Sequence, residues 1–457
     1  MLAQRELTEE QRTVVHAEDG PLLVIAGPGS GKTRVLAARV CHLIAHRRVS
    51  PARILILTFA TKAAGELRTR LVARIGASGQ AVDVATYHSF GWRVVRRWQA
   101  DLGFGHGPLR VCSYGEQQRL LDLAAEGLGL PSLSATVELH DLHAYRVHGD
   151  ASASTILPTL ATFYDELLRQ HGVIDYPSML ILPLRLLDAH PAALRMLQDG
   201  YDHVLADEFQ DTSLPQYALL RALTARHRNL LLVGDPDQCI YQWRGADGSA
   251  FHAFARDFSD ARLCTLTQNF RSSGRIVALA NAIRPGLLSE RDLWTAHPPG
   301  ELPVLWEASD EQAEAALVAR EIARLTTEHR VRNLGEMTVL YRTHAQAPPL
   351  VTALQQQGIP SMQMRTTDDA SLTATDRVRL MTVHAAKGGE WPVVFLVGAD
   401  EGLLPHIHAD DATVADERNI AYVAVTRAMD RLYVTHGRHR LSRFFTGLPE
   451  GLVARQR

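Results

Sequence analysis

Lys32 and Thr33 close the run Ala26-Gly27-Pro28-Gly29-Ser30-Gly31-Lys32-Thr33, whose residue types suit a nucleoside triphosphate. Its glycines let the backbone curl so that successive N–H groups point at phosphate oxygens. A helix N-terminus behind such a turn adds partial positive charge. Lys32 can reach the β- and γ-phosphates, and the Thr33 hydroxyl can hold Mg²⁺. Ala26 stands where the strict motif has glycine, and a small residue serves there. A chance Gly-Lys-Thr in a glycine-rich turn would lack strand and helix flanks. Here the apolar Leu22–Ile25 reads as a strand, and Arg34 onward reads as a helix.

Asp207-Glu208-Phe209-Gln210-Asp211 follows a second apolar run, His203 to Ala206. Asp207 can hold Mg²⁺ through its water shell, and Glu208 can orient and deprotonate an attacking water. Alone, such an acidic pair would read equally well as a solvated turn; with the phosphate loop it reads as the second half of a hydrolytic site. A third dense stretch runs from Val233 to Ala246. Gln238 lies one turn beyond a strand end, placed to sense a γ-phosphate. Tyr241, Trp243 and Arg244 follow as an aromatic–basic cluster. Nucleic-acid bases stack on such rings at about 1–3 kcal/mol each without sequence preference. Tryptophan is more often a core residue, but Gln242, Arg244, Gly245 and Asp247 around Trp243 favour a surface loop.

These residues need strands to carry them. Apolar runs at Leu22–Ile25, Ile54–Phe59, Val82–Thr86, His203–Asp207, Asn229–Asp235 and Leu263–Thr267 read as strands. A helix is expected from about Lys62 to Ile75, and Thr8 reads as an N-cap before Glu9 and Glu10. Between about Arg93 and Met196, Leu, Ala and Arg at helical spacing dominate, and no convincing strand is expected; Leu120–Leu128 and Thr162–Arg169 read as core helices. A helix at Gly274–Ile283 and a Pro-rich connection, Pro285 to Pro303, precede another α/β unit with a long helix, Glu311–Glu328. Strands at Arg379–Val383, Val393–Val397 and Arg431–Thr435 complete it. Alternating strands and helices imply a parallel sheet. There are too many strands for one such sheet, so two tandem α/β cores are expected.

With 457 residues, more than one domain is required. The apolar content of 46% suits a globular protein, and the formal charge of −2 places any nucleic-acid site in a local groove, not in a global field. No apolar run is long enough for a bilayer, and Met1 to Glu10 is too polar for a signal peptide. Cys41, Cys112, Cys239 and Cys264 are scattered, which argues against zinc, iron–sulfur or a disulfide framework and fits a reducing, cytoplasmic setting.

The motifs, in this order, resemble those of superfamily 1 DNA helicases of the UvrD/Rep/PcrA family, over most of the chain. Leu7 to Gln11 resembles the adenine-reading motif, with Gln11 on the base. Ala26 to Thr33 resembles motif I, and Arg34 is counted with it among the nucleotide contacts. Thr58 to Ala64 resembles motif Ia and Thr86 to Phe90 motif Ib, both of which face single-stranded DNA in the family. Asp207 to Thr212 resembles motif II, Val233 to Ala246 motif III, Gln268 to Ser272 motif IV, Leu380 to Glu390 motif V and Glu417 to Ala428 motif VI. The resemblance implies that Arg271 and Arg427 are arginine fingers, that Phe270 (Tyr in most relatives) stacks on adenine and that Glu390 contacts the ribose. It implies DNA contacts at Phe59, Tyr87, His88, Tyr241, Trp243, Arg244 and His384. Departures occur at Gly388-Gly389-Glu390-Trp391, where Gly-Leu-Glu-Phe is usual, and at Asn419-Ile420, where Arg-Leu is usual.

The implied fold is α/β: two tandem RecA-like P-loop NTPase cores, with a helical insertion in the first. Residues 1–92 and 197–266 would form the first core, 93–196 the insertion and 267–457 the second core. Where the family carries a large mobile insertion, the 2B subdomain, only the loop-length segment 361–375 remains, and no room is left for a carboxy-terminal nuclease. The implied activity is ATP hydrolysis with Mg²⁺, driving 3′ to 5′ movement on single-stranded DNA or on a 3′-tailed duplex as two cores close over ATP and open. Losing the insertion leaves open a translocase that needs a protein partner to separate strands, or an ATP-switched DNA-binding subunit of a larger repair or defence complex. RNA is a third, weaker option as track.

Overall fold

The computed structural model describes residues 7–130, 138–149, 154–242, 248–286, 292–364, 376–410, 413–437 and 441–456. In chain order the strands are β1 (Leu22–Ala26), β2 (Ile54–Thr58), β3 (Asp83–Thr86), β4 (Arg110–Val111), β5 (Val173–Ile174), β6 (His203–Ala206), β7 (Leu230–Gly234) and β8 (Arg262–Leu266). Then follow β9 (Val304–Glu307), β10 (Met337–Tyr341), β11 (Ser361–Gln363), β12 (Val378–Thr382), β13 (Trp391–Leu396), β14 (Ala428–His436) and β15 (Ala454–Gln456). By contact density the chain forms two units: Met1–Leu23, Thr33–Val233 and Trp243–Leu263 in one, and Val24–Lys32, Gly234–Gln242 and Cys264–Arg457 in the other.

One six-stranded sheet has the order β3-β2-β6-β7-β1-β8. The pairings of β2 with β3 and β6, and of β6 with β7, are parallel. Every residue of β1, β2 and β7 is buried. A parallel strand covered on both faces needs such an unbroken apolar run, which is why these strands are legible as runs and not as alternations. Parallel strands also deliver the residues that follow them to one carboxyl edge. Asp207 follows β6 there, its N–H donating to the Leu57 carbonyl at 3.0 Å.

In the first unit, helices Tyr87–Arg97, Tyr114–Gly127, Leu139–His148, Leu157–Gln170, Ser178–Ala189 and Pro191–Gly200 make up the region expected to be helical. Leu120, Leu121, Leu142, Leu157, Leu160 and Tyr164 share one buried cluster. The expectation of no strand needs correction: β4 and β5 pair in parallel, Arg110 opposite Val173. Two-residue strands carry no periodicity and left no signal. Within this region the guanidinium of Arg146 pairs with Asp175 and with Asp165, the latter at 2.7 Å, and all three side chains are under a tenth exposed.

The second unit holds a seven-stranded sheet, β11-β12-β10-β13-β14-β9-β15, and each of its pairings is parallel. Successive side chains of β13 go to opposite faces. Val394 and Leu396 pack with Ile276, Leu279 and Ile420, while Val393 and Phe395 pack with Val318, Ile322 and Leu350. Helices therefore cover both faces. The long helix runs Glu311–Thr327, its Asp310 cap accepting from the Ala313 N–H at 2.8 Å. Segment 361–375 was expected to be loop, but Ser361–Gln363 adds an edge strand to β12; its residues 365–375 lie outside the described part. Strand β15 has no counterpart in the sequence reading, being three residues long with two of them exposed.

Candidate nucleotide and DNA sites

The phosphate loop leaves β1 at Ala26, and its helix, Lys32–Ala45, starts two residues earlier than the sequence suggested. Gly29 and Gly31 take positive φ, +69° and +85°, where a side chain would be strained. Gly29 is also crowded: a Cβ there would come within 2.8 Å of both Arg271 Cβ and Asn269 Nδ2. The Ser30 hydroxyl donates to the Gly27 carbonyl at 2.7 Å, tightening the turn. Lys32 Nζ donates to the Ala26 carbonyl at 3.2 Å. The loop therefore holds its lysine against its own backbone.

Within the second unit the loop meets the segment that carries Arg271. The Phe270 N–H donates to the Gly29 carbonyl at 2.9 Å. Asn269 Nδ2 donates to the Pro28 carbonyl at 2.8 Å. Arg271 donates from Nε to Glu390 at 2.7 Å and from Nη1 to the Thr426 carbonyl at 3.0 Å. Glu390 thus sits on a finger candidate, a contact that its expected ribose role did not foresee. Arg427, 2% exposed, donates from Nη2 to Gln238 Oε1 at 3.2 Å and from Nε to the Val423 carbonyl at 3.0 Å. Gln238 Nε2 in turn donates to Asp235 at 2.6 Å. Phosphate loop, Gln238, Arg271 and Arg427 therefore belong to one hydrogen-bonded assembly. Such guanidinium groups suit charge that develops on a transferred phosphoryl group.

The acidic residues lie in the first unit. Thr33 Oγ1 donates to Asp207 Oδ2 at 3.3 Å. A hydroxyl and a carboxylate brought together are hard oxygen donors that suit Mg²⁺. Asp207 is 4% exposed, and Mg²⁺ held there would keep part of its water shell. Glu208 has φ +52° and ψ +48°, left-handed backbone that is unusual for a side-chain-bearing residue. Strain of this kind concentrates at functional positions. Gln210 Nε2 donates to the Glu208 carboxylate and fixes its direction. Gln11 is buried, and its Oε1 accepts from the Thr8 N–H at 3.3 Å in a capping box. Arg34 is partly exposed at the start of the helix behind the loop.

The residues assigned to DNA fare differently. Phe59 is partly exposed just after β2. Tyr87 is 1% exposed, and its hydroxyl pairs with Thr212 at 3.3 Å. At that burial the Tyr87 ring packs within the first unit. His88 stacks on Tyr176, ring centroids 3.8 Å apart, and Tyr176 is 57% exposed. Burial pushes the His88 pKa down to about 4, so near neutrality it offers a ring and not a charge. In the second unit Tyr241 donates its hydroxyl to the His384 carbonyl at 3.2 Å, and Lys387 Nζ lies 4.8 Å from the Tyr241 ring centroid. Burial, with Arg342 and Lys387 adding to it, also pushes His384 down to about 4. Trp243 and Arg244 lie outside the described residues.

Several contacts had no sequence signal. Tyr176 sits in the helical region, far in sequence from His88. Lys387 donates to the Gln238 carbonyl at 2.7 Å. Asn419, at a departure from the family pattern, is 2% exposed and donates to the Cys239 carbonyl at 2.9 Å. Leu293 lies in the Pro-rich connection, and its Cδ2 is 2.4 Å from where a Cβ on Gly27 would be.

The chain matches two family models. The UvrD/REP helicase N-terminal domain matches residues 7–259, and the UvrD-like helicase C-terminal domain matches residues 264–368 and 361–439. The ATP-dependent DNA helicase PcrA of Staphylococcus epidermidis is 25% identical over 636 residues, covering 98% of this chain and 87% of the relative. PcrA of Staphylococcus aureus is also 25% identical, over 635 residues, with the same coverage of 98% and 87%. The ATP-dependent DNA helicase UvrD1 of Mycobacterium bovis is 34% identical over 378 residues, covering 78% of this chain and 49% of the relative. Among the described residues, no helix is long and apolar enough to cross a membrane.

Proposed function

From the premise that the chain belongs to the UvrD/REP helicase family and is an ATP-dependent DNA helicase, we propose that it moves along single-stranded DNA from 3′ to 5′ in DNA repair, replication or recombination. The observation that carries the ATP-hydrolysing part of this reading is the Gln238–Arg427 contact beside a phosphate loop that is itself bonded to the Arg271 segment; the polarity is carried over from the family resemblance. Lys32, Arg271 and Arg427 would neutralise phosphate charge, and Gln238 would sense the γ-phosphate. Glu208, aimed by Gln210, would position the attacking water. Thr33 and Asp207 would hold Mg²⁺, which supplies neutralisation of the β- and γ-phosphate oxygens. Phe270 would stack on the adenine, and the His88–Tyr176 pair, Phe59 and Tyr241 would offer faces to bases. The test measures phosphate release with and without single-stranded DNA, then unwinding of duplexes with 3′ or 5′ tails. Turnover indifferent to DNA, or unwinding from the 5′ tail, would reject the reading.

One observation favours a second reading, in which strand separation needs a protein partner. The alignment to PcrA spans 636 residues, against 457 in this chain. The C-terminal domain matches in two pieces that meet at residues 361–368, where the family's large insertion is expected. DNA-stimulated turnover without unwinding of either tailed duplex would select this reading.

A further inference from the structure

Asn269 is 2% exposed and uses both ends of its carboxamide. Its Nδ2 donates to the Pro28 carbonyl at 2.8 Å, on the phosphate loop. Its Oδ1 accepts from the N–H groups of Arg271 at 2.8 Å and Ser272 at 2.7 Å. The Ser272 hydroxyl then donates to the Ala428 carbonyl at 2.7 Å, one residue beyond Arg427. Arg271 reaches the Thr426 carbonyl, one residue before it, at 3.0 Å. The backbone of Asn269 is anchored as well, its N–H donating to the Trp294 carbonyl at 2.7 Å. A single buried amide therefore spans the phosphate loop and the backbone that aims Arg271, and Ser272 extends the chain of bonds to the strand start behind Arg427.

We propose that Asn269 is a positioning residue that ties the placement of both arginines to the phosphate loop, so that they are aimed only when Pro28 and Gly29 are in place. The proposal rests on the ATP-hydrolysing reading above. Its physical basis is that a buried amide satisfied at both ends is rigid, while loss of one end leaves a buried polar group without its partner. Neighbouring space is filled: the Gly29 backbone has no room for a Cβ beside Asn269. A shift of the arginine segment away from the loop would break the Asn269–Pro28 and Phe270–Gly29 hydrogen bonds. Nothing requires Asn269 to touch the nucleotide.

The test uses Asn269→Asp and Asn269→Ala in the full chain. Aspartate keeps the acceptor for Arg271 and Ser272 but turns the donor into an oxygen facing the Pro28 carbonyl. Expected is a fall of about tenfold or more in kcat for DNA-stimulated ATP turnover, with KM for ATP and the Kd for a fluorescent ATP analogue within about threefold of wild type. Where the alanine variant does not fold, the near-isosteric aspartate variant carries the test. The decisive comparison adds Asn269→Asp to Arg271→Ala. A residue that acts through both arginines costs less once Arg271 is gone, because only its action through Arg427 remains. A full additive loss in the double variant, or kcat unchanged in the single one, overturns the proposal. Wild-type protein without ATP turnover would instead remove the ATP-hydrolysing reading, and this inference with it.

Discussion

Arg427→Lys separates a catalytic arginine from a buried structural one. Arg427 donates to the Val423 carbonyl, the Gly389 carbonyl, Gln238 Oε1 and Thr426 Oγ1 at 3.0–3.2 Å. These acceptors surround a planar fork, and an ammonium at one point cannot reach them all. If lysine keeps two of the four, two acceptors lose a partner at about 1–2 kcal/mol each. At 2% exposure there is little water to replace them. The expected stability loss is therefore about 2–4 kcal/mol. Catalysis should suffer separately. An arginine finger is worth about 10³–10⁵ in rate, and lysine keeps the charge but not the fork, so a fall of about 10²–10³ in kcat is expected. The assay is phosphate release at saturating ATP and single-stranded DNA, beside a urea titration and binding of a fluorescent ATP analogue. A variant with a lowered urea midpoint and wild-type kcat would refute the reasoning, leaving Arg427 a structural residue.

Lys32→Ala should abolish DNA-stimulated phosphate release, since Lys32 is the one lysine within the loop; unchanged turnover would remove the phosphate-loop assignment. Glu208→Gln should bind ATP and DNA normally yet lose turnover by about 10²–10⁴, and rapid single-turnover hydrolysis in that variant would show that water activation lies elsewhere. Stability should fall on acidification, because burial lowers the His203 pKa from 6.5 to about 4. The unfolded chain then takes up the proton first, so this contribution is complete above about pH 6.5 and is lost as pH falls toward 4, by about 2 kcal/mol at pH 5. Equal urea midpoints at pH 5 and pH 7.5 would contradict it. His88 and His384 share that direction, so DNA affinity between pH 6 and 8 should show no step from either ring, and a titration by fluorescence anisotropy checks this.

The sequence by itself determined the parts whose physics is local. The phosphate loop is legible because glycines, a lysine and a hydroxyl must be contiguous to wrap phosphate, and β1 is legible because a strand buried on both faces must be apolar throughout. Helix Glu311–Thr327 was legible to within one residue of its end. Spacing alone could not supply strand order, since β1 lies between β7 and β8 by pairings across the chain. Nor could it separate rings that share a motif: Tyr87 and His88 are neighbours, yet the helix turns one inward against Thr212 and the other onto Tyr176. Tertiary structure alone decided that Asn269 would bridge Pro28 and Arg271, that Glu390 would hold Arg271, and that Gln238 would meet Arg427. Each of these is a hydrogen bond between segments more than a hundred residues apart in sequence. Residue type permits such a bond, but only the packing of the chain brings donor and acceptor within 3.2 Å.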